Sequence, residues 1–310
     1  MALAPMAGIT DSTFREICMK YGADVTYSEM ASVSALFFKP QKTLELLKFG
    51  REERPYVVQL FGNKPEHFAK ATQIVTREIK PDGIDINFGC PAKKVFGHGS
   101  GCALMPQKEL AREIISAVCD NTNLPVSLKI RAGLKNHTAI DFIQDVKDLP
   151  FSAVMVHGRT YEGSFHSEVN FEIVEKIKKI IPDKIVLANG GINTPEDAVK
   201  ILKKYPTIDG LGIARGTWGR PYIFDEIKSL LYKRRDALQC VSTPGKYNFA
   251  KIKKIAIEHA KLLQKSKGET GMFEIRKHLA WYFKGFPNAA ELRRKLVQAK
   301  SVEEIKNILK

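Results

Sequence analysis

The side chain best placed for chemistry is the thiol of Cys90, in Asn87-Phe88-Gly89-Cys90-Pro91. An unperturbed thiol has a pKa of about 8.5, so at neutral pH it is mostly protonated and can act as a general acid. Many cysteines are simply small buried hydrophobes. The glycine and proline around Cys90 instead mark a turn after an apolar run, which is not core. Cys18, Cys119 and Cys240 fall in helical or linking stretches and read as packing. Cys102, in Gly99-Ser100-Gly101-Cys102, is ambiguous, with a structural role preferred. The five cysteines lack CxxC or metal-type spacing, which fits a reduced chain. Two further segments suit an anion: Asn189-Gly190-Gly191 and Ala214-Arg215-Gly216. Glycines let backbone N–H groups approach phosphate oxygens, and Arg215 can add a bidentate contact. Ordinary glycine turns would look the same. Gln59, Lys129, His157 and Arg159 add an amide, two cations and a ring donor.

The elements that must position these groups alternate along the chain. Candidate strands are 3–6, 25–29, 56–61, 83–87, 126–130, 153–157, 185–189 and 210–214. Helical-period stretches such as 12–21, 66–79, 107–120, 139–149, 171–181 and 195–204 follow nearly all of them, and the link after the second strand is the least regular. Such alternation predicts a parallel sheet with crossover helices. Eight even repeats favour a (β/α)8 TIM barrel over a doubly wound sheet. Thr194-Pro195-Glu196-Asp197 reads as an N-cap, a proline at N1 and an acid at N3, and Thr10-Asp11-Ser12 offers caps before the first helix.

In a barrel, site residues sit at the C-terminal ends of strands. Those ends carry Pro5-Met6-Ala7, Gln59, Asn87 with Cys90, Lys129 with Arg131, His157 with Arg159, Asn189-Gly190-Gly191 and Ala214-Arg215. The two glycine segments follow strands seven and eight, the usual phosphate corner. Without a GxGxxG after an early strand, a mononucleotide phosphate fits better than a dinucleotide. Lys129 and His157, on adjacent strands, are the kind of groups a flavin needs beside its N1–O2 edge, and Gln59 can pair with the pyrimidine edge of such a ring. Taken singly, a surface lysine or a locally satisfied histidine is as good a reading.

The chain has 310 residues, 44% apolar and 27% charged, which are ordinary globular values. Nothing resembles a membrane span or a signal peptide, so a cytoplasmic protein is expected. Strand-like runs stop near Gln239. Beyond it, Ile252, Ile255, Ala256, His259, Leu262 and Leu263, then Ile275, Leu279, Tyr282 and Phe283, keep a helical rhythm, and Leu292, Leu296, Val302, Ile305 and Leu309 finish the chain. We therefore expect a barrel domain over 1–238 and a small all-α helical domain over 239–310, with Thr243-Pro244-Gly245 as a linker. The net charge is +15, of which residues 1–231 hold +3 and 232–310 hold +12. That asymmetry suggests a polyanionic partner, although a solvated lysine-rich helical surface would also produce it.

The Cys90 pentapeptide, followed by Lys93-Lys94-Val95 and Gly99-Ser100-Gly101-Cys102-Ala103-Leu104-Met105, resembles the signature of tRNA-dihydrouridine synthases. Pro5-Met6-Ala7-Gly8, His157-Gly158-Arg159-Thr160, Ala188-Asn189-Gly190-Gly191-Ile192 and Gly216-Thr217-Trp218-Gly219-Arg220-Pro221 are similar to other blocks of that family. Arg276-Lys277-His278-Leu279-Ala280-Trp281-Tyr282 resembles the C-terminal domain of its bacterial B-type branch.

The resemblance implies a TIM barrel binding FMN, re-reduced by NADPH, and a helical tRNA-binding domain. It implies that Pro5, Met6, Ala7, Gln59, Lys129, His157, Asn189, Gly190, Gly191, Ala214 and Arg215 hold FMN. Cys90 would give a proton to C5 while hydride from the flavin reaches C6. Asn87, Lys129, His157 and Arg159 would lie near the uracil. Three features depart from the family pattern: the chain starts almost on the Pro-Met-Ala-Gly block, Cys102 replaces a small non-thiol residue, and Ala214 replaces a glycine. Two rivals remain: a dihydroorotate dehydrogenase-like flavin barrel acting on a free pyrimidine, and a non-enzymatic tRNA-binding factor.

Overall fold

A computed structural model describes residues 1–164, 166–233 and 247–310. The expected boundary at 238/239, Cys240 and the Thr243-Pro244-Gly245 linker lie outside the described residues.

Eight parallel strands close on themselves. They are β1 (Ala2–Leu3), β2 (Val25–Tyr27), β3 (Tyr56–Phe61), β4 (Gly83–Phe88), β5 (Val126–Arg131), β6 (Ala153–His157), β7 (Ile185–Asn189) and β8 (Gly210–Ile213). Each pairs with its sequence neighbours, and the β1–β8 pairing closes the ring. The expected TIM barrel is therefore present. Period-two alternation sorts its side chains. On β4, Ile84, Ile86 and Phe88 join the apolar layer under the helices, with Leu128 and Ile130 of β5 beside them. Burying each such side chain stabilises by about 1.5–3 kcal/mol. A separate cluster of Ala2, Ala4, Tyr27 and Met155, with Val57 and Leu187 against it, fills the base of the barrel. Register then aligns the upper ends of the strands: Asn87 lies opposite Lys129, Arg131 opposite His157, and His157 opposite Asn189.

Three strands are shorter than expected, β8 by a single residue and β1 and β2 by more. β1 stops at Leu3 because Pro5 has no N–H for a ladder, and Met6 turns back, its carbonyl accepting from Ile9 and Thr10. β2 stops at Tyr27. Ser28 then spends its hydroxyl oxygen on the Gln59 N–H at 2.9 Å, and the chain rejoins the sheet only at Ala31–Ser32 beside Leu60 and Phe61. Two short helices, Val33–Phe38 and Gln41–Leu47, occupy the irregular link. The expected caps form. Asp11 accepts from the Phe14 N–H, and Thr194 and Asp197 make a reciprocal capping box around Pro195. Arg15 and Glu53, both fully buried, pair at 2.6 Å, and Arg15 also donates to the Thr10 carbonyl at 2.7 Å, bracing the β1 loop.

The C-terminal rhythm builds a second apolar core from Ile252, Ile255, Leu263, Ile275, Leu279, Phe283, Leu296 and Ile305. Its first segment, Phe249–Tyr282, is two helices rather than one, because Gly268 breaks it with φ +57° and ψ −130°. That backbone is essentially restricted to glycine. The chain folds back so tightly that a Cβ on Gly271 would lie 2.1 Å from the Leu263 carbonyl oxygen. Helices Ala289–Leu296 and Val302–Ile308 complete the region. It docks on the barrel through helix Ser12–Lys20: Phe14 packs on His259 and His278, and Ile17 belongs to the second core.

Candidate active site

The mouth of the barrel opens into one cavity of about 520 Å³, within the usual range for a small-molecule site. Every residue singled out above as cofactor- or substrate-binding lines it, and so does Cys90. Four cations (Lys129, Arg131, Arg159 and Arg215) face this cavity, and among the described residues no carboxylate does.

Cys90 is half-buried in the turn that leaves β4. Asn87 builds that turn. Its side-chain oxygen accepts the N–H groups of Gly89 at 3.0 Å and Cys90 at 2.8 Å. Its amide nitrogen donates to the Gln59 oxygen at 2.9 Å. On the far side, the Cys102 N–H donates to the Cys90 carbonyl at 3.2 Å. Gly101, at φ +62°, lies so close that a Cβ would sit 2.9 Å from the same oxygen. Cys102 itself is fully buried, with its thiol 3.8 Å from the Met105 sulfur. Burial pushes that thiol up to about 12, so it carries no thiolate at neutral pH.

Below the cavity floor lies a polar chain that strand-end reasoning missed. Asp85, fully buried on β4, accepts from the Ser127 hydroxyl at 2.6 Å and from Gln59 Nε2 at 2.7 Å. The order Ser127–Asp85–Gln59–Asn87–Cys90 is continuous, and it fixes both amide orientations. Burial raises the Asp85 carboxyl to about 7, although both hydrogen bonds and nearby Lys129 favour its charge. The available signal was the inward face of β4 and β5: Asp85 and Ser127 stand two residues before Asn87 and Lys129.

Burial also pulls the Lys129 ammonium down to about 8, against the pull of Asp85. Its Nζ donates to Asn189 Oδ1 at 3.3 Å, and Asn189 Nδ2 donates to the Gly212 carbonyl at 2.7 Å. His157 is pulled down to about 2 by burial and by Lys129, Arg131, Arg159 and Arg215, so its ring is neutral. A neutral ring keeps one donor and one acceptor nitrogen, and Nε2 lies 3.5 Å from Arg159 Nη1, which can only donate. Arg159 donates to the Ser167 carbonyl at 2.5 Å. Arg131, expected at a strand end but assigned no role there, is 2% exposed and clamps two loops by donating to the carbonyls of Gly89 and Thr160, each at 2.9 Å.

The two glycine segments expected to receive a phosphate both reach the cavity. Gly190 has φ +101° and Gly191 φ +67°, and a Cβ on Gly190 would lie 2.4 Å from His157 Cδ2. Among the described residues their N–H groups meet no protein acceptor, which suits an incoming anion. Ala214 and exposed Arg215 line the same cavity. Ile192 and Trp218, each inside a family-like block but given no role there, also line the cavity, as does Met30, which carried no sequence signal for it.

A family model described as dihydrouridine synthase matches residues 2–310. The tRNA-dihydrouridine synthase B of Vibrio vulnificus is 34% identical over 297 residues, covering 95% of this chain and 89% of that relative. The probable tRNA-dihydrouridine synthase 1 of a Synechocystis strain is 32% identical over 310 residues, covering 99% and 84%. Among solved structures, the old yellow enzyme from Trypanosoma cruzi superposes with a TM-score of 0.51 at 9% identity, over 79% of this chain and 90% of that one. That last likeness is one of fold.

Proposed function

This chain belongs to the dihydrouridine synthase family, and from that premise we propose that it reduces the C5–C6 double bond of uridine in tRNA. FMN is the proposed resident cofactor and NADPH the electron source, with the work done in the cytoplasm. The observation that carries the reading is the single cavity that gathers Cys90 with four cations and no carboxylate, in a chain that the family matches from end to end.

The donor set fits a flavin mononucleotide. The free amides of Gly190 and Gly191, with Arg215, suit its phosphate. Lys129 and the neutral His157 ring suit the polar edge of the ring system, and Gln59 its pyrimidine side. Pro5, Met6 and Ala7 would cover it from the β1 loop, with Asn189 and Ala214 beside the phosphate corner. When bound and reduced, the flavin supplies the hydride that C6 of the uracil receives.

The remaining work falls to this chain. Cys90 holds the proton delivered to C5, and Asn87 fixes the turn that carries its thiol. Arg159 and Lys129 face the uracil carbonyls and stabilise charge that develops there. Unstacking the target uridine costs a few kcal/mol. The helical region, proposed to span 239–310 as a tRNA-binding domain, offsets that cost through phosphate contacts that weaken with salt.

Two measurements test this. Mapping dihydrouridine in tRNA from cells with and without the gene should show loss at one or more positions, and an unchanged map refutes the reading. Cys90→Ala should give a folded, yellow protein with turnover down by about 10²–10⁴-fold. Full activity in that variant removes the proton-donor role.

A further inference from the structure

The chain contains two tryptophans, Trp218 and Trp281, and they stack on each other. Their ring centroids lie 4.5 Å apart with planes 6° from parallel. Trp218 comes from the loop after β8, three residues beyond Arg215, and Trp281 comes from the end of the second helix of segment Phe249–Tyr282. The pair therefore joins the barrel mouth to the basic helical region.

The junction is rigid. Gly219, at φ +67°, approaches so closely that a Cβ would sit 2.3 Å from the Trp281 carbonyl carbon and oxygen. From its other side Trp281 meets His278 edge-on at 5.3 Å, and His278 packs on Phe14 of the barrel at 5.0 Å. Trp281 is thus held by the Gly219 loop and by His278, which Phe14 backs in turn, and Trp218 rests on it. Yet Trp218 stays 36% exposed and lines the same cavity as Cys90, Arg159 and Arg215. Joining two domains does not require leaving a large indole open at the rim of a cationic cavity.

We propose that Trp218, braced by Trp281, is a stacking platform for the RNA base adjacent to the target uridine. This rests on reading the cavity as the uridine site. The charge argues for a nucleotide rather than an apolar side chain. A strand whose uridine enters the cavity must lead its flanking phosphates out of the mouth, past Trp218 and toward the Trp281 side, which belongs to a region of net charge +12. The neighbouring base then reaches the open indole. Base–aromatic stacking accepts any base, because every base has a π-face. The platform therefore adds affinity and fixes strand position without reading sequence.

The tryptophan count makes the test direct, since intrinsic tryptophan fluorescence reports on this pair alone. The flavin-loaded enzyme is titrated with a short single-stranded oligoribonucleotide carrying one central uridine. Saturable quenching is expected. An abasic site next to the uridine, on one side only, should weaken binding by about 5- to 150-fold, the range for one stacked base, and should remove most of the quenching. In steady state with tRNA, Trp218→Leu should raise KM by a similar factor, more than it lowers kcat. Trp218→Phe should recover most of the loss. Flavin absorbance and the melting curve show whether each variant is folded, and the abasic series needs no variant. Equal binding of all abasic oligonucleotides, or an unchanged KM in folded Trp218→Leu, overturns the platform. If wild-type enzyme makes no dihydrouridine, the uridine-site reading fails instead, so the two failures are distinct.

Discussion

Replacing Asp85 by Asn tests whether the buried polar chain governs both stability and catalysis. In the folded protein burial holds the Asp85 carboxyl near 7, whereas its ordinary value is 3.8. Unfolding at a pH between these values therefore releases a proton. Stability from this group falls as pH rises from about 4 to about 7 and is level above that. Each unit corresponds to about 1.4 kcal/mol, so the whole window is worth about 4 kcal/mol. Asparagine cannot ionise, and the Ser127 hydroxyl can turn to accept from its amide. The variant should lose about 1–2 kcal/mol at pH 4 for a weakened hydrogen bond and gain on wild type as pH rises. Urea unfolding of the two proteins at half-unit steps from pH 4 to pH 8 measures the difference. A second readout concerns Lys129, whose pKa of about 8 is supported by the Asp85 charge. Without that charge Lys129 loses its proton at lower pH, so the alkaline limb of the activity profile should move down. A stability difference that does not vary with pH, together with an unmoved alkaline limb, would refute the argument.

Two further outcomes follow from close contacts and buried rings. Gly190→Ala puts a Cβ 2.4 Å from His157 Cδ2 at φ +101°, so we expect a loss of about 1–3 kcal/mol from backbone strain alone, and a colourless protein by absorbance whose far-UV circular dichroism is unchanged. His259, stacked on Phe14 and bonded through Nδ1 to Tyr282 at 3.1 Å, is pulled down to about 4 by burial and by Lys277 and Lys267, against the opposing pull of Asp11. Its share of stability is complete above about 6.5 and is lost as pH falls toward 4, a change of about 3 kcal/mol. Asp85 works in the opposite direction over the same range, so the measurement is the difference between wild type and His259→Gln in urea titrations at pH 7 and pH 4.

The barrel was legible because its signal is local: each strand–helix unit carries its own change of period. The site was legible for a related reason. Parallel register sets the last residues of eight strands at one level, so residues chosen only as strand ends share a cavity. What stayed hidden depends on contacts between distant segments. Gly268 lies inside an uninterrupted helical rhythm, and only the return of Gly271 onto Leu263 explains it. Trp218 and Trp281 are 63 positions apart, and nothing in either neighbourhood announces the stack.

Asp85 is the instructive intermediate case. Gly83-Ile84-Asp85-Ile86-Asn87 looks like an apolar run with a polar end, yet in a closed barrel its alternate residues face an interior rather than solvent. A carboxylate there needs donors, and Ser127 and Gln59 supply them from the two flanking strands. The same contacts orient Gln59, then Asn87, then the Cys90 turn. A group that costs stability above pH 4 is thereby tied to the geometry of the thiol. The chemistry at the rim depends on a residue that strand-end reasoning, which looks only at the rim, cannot reach.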